Sequence, residues 1–348
     1  MAKAADEKDI TINILRGMAI FTMVAANTAA EILVPPHPLF VRAYGSFAAP
    51  LFILLSGMMV AWTARARNYQ WGHFAVRGLL FIAVGALIDV AGGIYLFTTF
   101  DVLYLIGLAA PLSYVFMRFN IILRWIIVVL IFALTPMLQQ WFGYRDSLIQ
   151  VPLSAGYEAV SAQIPALIRH YLIDGWFPVF PWLGFSFLGV NLADIRWPAM
   201  GRVSFGKNAV TLLGAGTAIA GSVIFWFFPG KLLIRCGYSE LFYPPTIGYL
   251  ITAVGIILLL FSLVDRRPAL AVFRPLQLLG ESALFMYLLH LAVIEFILLP
   301  LWPESSFSRF FLIYLGEIIC YILLGLGLRG IKKKWRNRPY LLRFLMGG

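Results

Sequence analysis

Charge is what this chain has least of. Only 12% of its 348 residues are Asp, Glu, Lys or Arg, while 61% are hydrophobic. A soluble domain carries about a quarter charged residues and roughly 45–50% apolar ones. No soluble fold hides that much apolar surface, so lipid must be the solvent for much of the chain. Cysteine is almost absent too. Cys236 and Cys320 stand far apart, without the spacing of a zinc or dithiol site. The four histidines are scattered, with no HxxxH or HExxH pairing, so a metal centre is not expected. GxSxG, P-loop and strand-borne GxGxxG signatures are missing. The glycine-rich piece GAGTAIAG (214–221) reads as small-residue helix packing rather than a phosphate loop.

What is present is a series of apolar runs, each near the length of about 20 residues that a membrane helix needs. They fall at roughly 10–32, 44–64, 74–96, 100–118, 121–142, 175–194, 208–229, 244–264, 277–300 and 307–329. The expectation is an all-α polytopic bundle of about ten spans (10–11). It forms a single integral membrane domain, 1–348, that ends in a basic tail at 330–348. The long connector 143–174 carries an apolar piece that either lies along the interface or re-enters the membrane. The opening MAKAADEKD is mixed in charge and does not read as a cleavable signal peptide.

The net charge of +11 sits in short clusters between the apolar runs. That is the pattern of membrane orientation, not of a nucleic-acid stripe, and no nucleic-acid partner is expected. With the N-terminus in the cytoplasm, twenty of the 27 Lys and Arg fall in inside segments, which places both termini inside. The orientation puts His37, Arg42, Asp101, Asp174 and Lys231 toward the outer face. The tail IKKKWRNRPYLLRFLM mixes basic and apolar residues and reads as a surface segment held by anionic lipid.

Ionisable groups within spans are costly and usually face a cavity or each other. Asn13, Arg16, Asn27 and Glu31 share one broad face of the first span. Asp89, Asp101, Glu281, His290, Glu295 and Glu317 recur further on. Single members of such a set often only staple helices; the number of them points to a polar cavity. His37 follows Pro-Pro and precedes Pro38, so its backbone is stiff and extended. A rigid imidazole is suited to general-base or nucleophilic work near neutral pH. The other histidines have plainer readings: His73 as a solvated interface residue, His170 as a cap or surface pair with Asp174, His290 as a buried hydrogen-bonded side chain.

The pieces NILRGMAIFTMVAAN (13–27), HPLFVRAYGSFAAPLFILLSG (37–57), DVLYLIGLA (101–109), FPVFPWLGFSFLGV (177–190) and LLGESALFMYLLHLAVI (278–294) together resemble the heparan-α-glucosaminide N-acetyltransferase catalytic-domain family. That family stands within the wider group of polytopic membrane acyltransferases. The resemblance implies an enzyme that moves acetyl from cytoplasmic acetyl-CoA to a saccharide amine or hydroxyl at the outer face. The setting implied is a bacterial cytoplasmic membrane and polysaccharide modification. His37 matches the family's outer-loop histidine, with Asp101 or Asp174 to orient it. Arg16, Asn27, Ser46 and His290 would lie along the donor's path. Eukaryotic members carry an Asp where this chain reads GSFAAP, so Ser46 or a neighbour replaces it and His37 lacks its expected carboxylate. Expected partners are the lipid bilayer and a saccharide or glycolipid acceptor, and a homodimer is allowed. A proton-coupled transporter of a small polar solute and a non-catalytic membrane scaffold are the rival readings of the same intramembrane charges.

Overall fold

The computed structural model describes residues 9–234, 240–335 and 337–347. The sequence readings that touch Lys3, Lys8, Arg235, Cys236 and Arg336 lie outside these residues. The α-helices in chain order are α1 (Ile10–Ile32), α2 (Leu39–Gly45), α3 (Ala48–Ala66), α4 (Trp71–Ala91), α5 (Val102–Phe116) and α6 (Ile121–Phe142). They continue with α7 (Gly156–Ser161), α8 (Ile164–Arg169), α9 (Val179–Arg196), α10 (Asn208–Phe227), α11 (Ile247–Arg266) and α12 (Arg274–Gly280). The last are α13 (Ala283–Val293), α14 (Leu299–Leu301), α15 (Phe307–Lys334) and α16 (Tyr340–Met346). No strand occurs among the described residues.

Eight stretches are long and apolar enough to cross a membrane: α1, Leu39–Ala66, α4, α6, α10, α11, Ala283–Leu301 and α15. Ile164–Asp174 and α9 pass the same test as a pair bent by 44°. This is the form that the apolar half of the 143–174 connector takes. The shorter apolar α5 accounts for the remaining window. Each of the ten apolar windows in the sequence therefore holds a helix, and the chain is a polytopic all-α membrane protein.

By internal contacts the chain divides into two compact units. The first comprises Phe52–Val203 and Pro244–Leu250, together with 1–7, which lie outside the described residues. Its helices pack through small residues, as lipid-embedded helices must when apolar burial gives no preference between lipid and protein. Gly78 of α4 and Gly107 of α5 lie on each other's backbone, leaving no space for a Cβ on either. Ser113 of α5 meets Ser186 of α9 at 3.0 Å, and Phe116 stacks on Phe187 with centroids 4.0 Å apart. The two ends of this unit differ in charge. Where α3, α5 and α9 finish and α4 and α6 begin stand Arg65, Arg67, Arg77, Arg118, Arg124, Arg196 and Arg202, with Asp194 among them. Asp194 pairs with Arg65 and, at 2.6 Å, with Arg124. The opposite end carries Asp89, Asp101, Asp146, Glu158 and Asp174 with Arg145 and Arg169.

The second unit comprises Lys8–Leu51, Ser204–Tyr243 and Ile251–Gly348. Its axis is α1, packed against α2, α12, α13 and α15. Gly17 of α1 rests on the Leu276 carbonyl and Gly280 of α12 on the Asn13 carbonyl, so the two helices touch backbone to backbone. The glycine-rich stretch of α10 does pack on a neighbouring helix: Gly214 and Gly221 lie against α11, and Gly255 of α11 against Ala218. The window 277–300 is not one continuous helix. It breaks at Glu281 and Ser282, where Arg329 holds the Glu281 carboxylate at 2.8 and 2.9 Å. Lys332 donates to the Glu281 carbonyl and the Ser282 hydroxyl, both at 2.7 Å. In the tail, α16 packs on α13 and buries Phe344.

Candidate functional site

The polar centre of the second unit is built around the last turns of α1. There the chain leaves the helix at Leu33, passes His37, and returns as α2 alongside α1. Gly45, the last residue of α2, leans so closely on Ala26 that a Cβ there would collide with the Ala26 side chain.

Asn27 reaches His290 of α13, with Nδ2 2.9 Å from Nε2. In this arrangement the amide donates, so Nε2 carries the lone pair and Nδ1 the proton. His290 is fully buried, and the backbone carbonyls of Met286 and Tyr287, one turn back on α13, face its ring. One residue further along α1, Thr28 donates to Glu317 of α15 at 2.8 Å, and Tyr321 donates to the other carboxylate oxygen at 2.9 Å. Tyr314 donates to the Phe21 carbonyl at 3.0 Å and meets the Tyr44 hydroxyl at 3.1 Å.

His37 is half-buried and its Nε2 lies 2.9 Å from the Leu33 carbonyl. Only an N–H can make that bond, so the basic nitrogen of the neutral ring is Nδ1. Arg16 is half-buried on α1, one residue before Gly17. Ser46 is fully buried and lies 2.8 Å from the carboxylate of Glu240, a residue in the connector between α10 and α11. Burial pushes the Glu240 carboxyl up to about 7, against the pull of the Ser46 hydrogen bond and the Arg42 guanidinium.

Asp101 and Asp174 belong to the first unit. Asp101 is the N-cap residue of α5, its carbonyl taking Tyr104 N–H at 3.0 Å. Asp174 closes a π-turn, His170–Asp174, and is wholly buried. It takes Arg169 at 3.2 Å and His170 at 3.3 Å, so His170 and Asp174 form an interior pair rather than a surface one. Of the residues that sequence reasoning selected, the fold joins Asn27 to His290 across 263 positions. It joins Ser46 to a carboxylate that the sequence did not single out. Glu240 carried no signal beyond its charge. Among the described residues, no cluster of three or more His, Cys, Asp or Glu gathers in the geometry of a metal site.

The model of the heparan-alpha-glucosaminide N-acetyltransferase catalytic family matches residues 9–229, more than half of the chain. The chain belongs to this family. A comparison with curated proteins finds no match. Membership in the N-acetyltransferase family indicates acetyl transfer by a membrane-embedded protein. The matched stretch holds His37, Arg16, Asn27, Ser46, Asp101 and Asp174. His290, Glu240 and Glu317 lie beyond it.

Proposed function

We propose that the protein transfers an acetyl group from acetyl-CoA to an amine or hydroxyl of a saccharide across the thickness of the membrane. The family match supports acetyl chemistry. The observation that supports a site in the second unit is the Asn27–His290 pair beside α1, 2.9 Å apart. The arginine-rich end of the first unit supports a cytoplasmic face on that side, from which a donor bearing phosphates would approach. His37, with Nδ1 as its basic nitrogen, deprotonates the acceptor or carries the acetyl transiently. Arg16, Asn27, Ser46 and His290 line the donor's path.

The test is acetyl-CoA with glucosamine, given to purified protein in lipid nanodiscs, with free CoA thiol and acetylated sugar both measured. Wild type is expected to release thiol only when the sugar is present. His37→Ala is expected to lower that rate by about 10²-fold or more. An unchanged rate in His37→Ala removes His37 from the chemistry, and absence of transfer in wild type removes the reading.

A further inference from the structure

The basic tail gives a diffuse attraction for anionic lipid, but one of its side chains is held quite differently from the rest. Arg338 stands in the turn between α15 and α16. Its neighbours Asn337 and Pro339 are exposed, and so are Lys333, Lys334 and Arg343. Arg338 instead folds inward and keeps only 9% of its surface open. Its Nε and Nη1 are buried and meet no hydrogen-bond partner among the described residues. Nε carries one N–H and Nη1 two, so these donors of a permanently charged group stand without an acceptor.

A buried guanidinium is stable where an anion answers it. The tail supplies no acidic side chain: residues 318–348 contain no Asp or Glu. Glu281 lies beside the tail, its carbonyl against Gly347. Its carboxylate is already held by Arg329. The turn is nonetheless built into the fold, because α16 leaves it to pack on α13 with Phe344 buried.

The length of α15 places this turn in the membrane. Its 28 residues span about 42 Å at a rise of about 1.5 Å each. A bilayer measures roughly 30 Å across its hydrocarbon and about 40–45 Å with its headgroups. A helix of that length that crosses the core ends in the headgroup layer, and the turn begins there. Trp335 and Tyr340, exposed on either side of Arg338 in the sequence, are residue types that favour this layer. The anion abundant at that level is the phosphodiester of a phospholipid.

We propose that Arg338 is a binding site for a phosphate oxyanion, supplied by the headgroup of an anionic phospholipid. The planar guanidinium matches phosphate in geometry as well as charge. The ligand reaches it through the part of the residue that remains open, while Lys333, Lys334 and Arg343 attract the same lipid by charge alone. This site is independent of the acetyl-transfer reading.

The experiment uses the full-length protein in detergent, given phosphatidylglycerol or phosphatidylcholine, with bound lipid counted by native mass spectrometry. In about 0.5 M ammonium acetate, attraction at a distance is screened to a few Å. Wild type is expected to retain phosphatidylglycerol in preference to phosphatidylcholine. Arg338→Gln should weaken that retention about tenfold or more. Arg343→Gln removes an equal charge from the exposed surface and should weaken it by no more than about twofold. Equal losses in the two variants, or no loss in Arg338→Gln, overturn the site. CoA and inorganic phosphate, each offered in place of lipid, test the source: Arg338-dependent binding of either, without retention of phosphatidylglycerol, overturns the lipid assignment. Should Arg338→Gln fail to fold, Arg338→Lys decides, since it keeps the charge and loses the planar fork. Retention weakened about threefold or more supports the site, and unchanged retention overturns it.

Discussion

Asp89 and Glu240 are both buried carboxyl groups, one in each unit, and they differ in the donors that reach them and in how far those donors lie along the chain. Asp89 at the end of α4 receives three donors: Thr99 Oγ1 at 2.6 Å, Tyr104 OH at 2.6 Å and Phe97 N at 3.1 Å. Those bonds pin the 92–101 loop, in which Phe97 (φ 67°) and Phe100 (φ 49°) sit in the left-handed region that ordinary side chains avoid. Tyr171 donates to the Phe97 carbonyl and closes the same loop over the π-turn. Among the described residues, Glu240 meets the Ser46 hydroxyl at 2.8 Å, and that hydroxyl also lies 2.6 Å from the Arg42 carbonyl. Three donors tie the Asp89 carboxyl to the loop that follows its own helix, whereas the Ser46 hydroxyl ties Glu240 to the end of α2, far away in sequence.

The sharpest way to break this comparison is at Asp89. Asp89→Ala leaves three donors unmet and frees two strained residues, so a loss of about 4 kcal/mol is expected. Thermal unfolding in nanodiscs reads it, and a change below about 1 kcal/mol would mean that the loop is held by other bonds. Next comes the pH dependence that Glu240 imposes. Its folded value of about 7 lies above the reference of 4.5, so the proton is bound more tightly in the folded state. The resulting stability is complete below pH 4.5 and is lost as pH rises through about 7. The span corresponds to about 3 kcal/mol. The wild-type thermal midpoint should therefore fall across this range, and the slope should vanish in Glu240→Gln. The smallest effect belongs to a third carboxylate, Glu281, which faces a solvent-accessible Arg329. Arg329→Gln should cost about 0.5–1 kcal/mol, and less as salt is added. A larger, salt-independent loss would place this clamp with Asp89 instead.

Much of the helical architecture can be read along the chain, because membrane length and apolar composition dictate it locally. The polar stripe of α1 is legible for the same reason: Asn13, Arg16 and Asn27 recur at helical spacing. The His170–Asp174 pair is only four residues apart, so its contact is local, though not its burial. The contacts that define the candidate site are of another kind. Asn27 finds His290, and Ser46 finds Glu240, only after helices distant in sequence have packed, and no periodicity encodes such pairings. The break at Glu281–Ser282 is hidden because the window around it is apolar throughout. What interrupts it is a pair of cations, Arg329 and Lys332, on a different helix.

The backbone contact of α1 with α12 has a consequence for biosynthesis. α1 is made well before the segments that complete it: roughly 240 residues separate Ile32 from Arg274. At roughly 5–20 residues per second that is about 12–50 s of translation. For that interval the Asn13, Arg16 and Asn27 side chains must wait in the nascent membrane without α12, α13 or α15. A polar helix with late-arriving neighbours calls for shelter at the insertion machinery until those neighbours have been made.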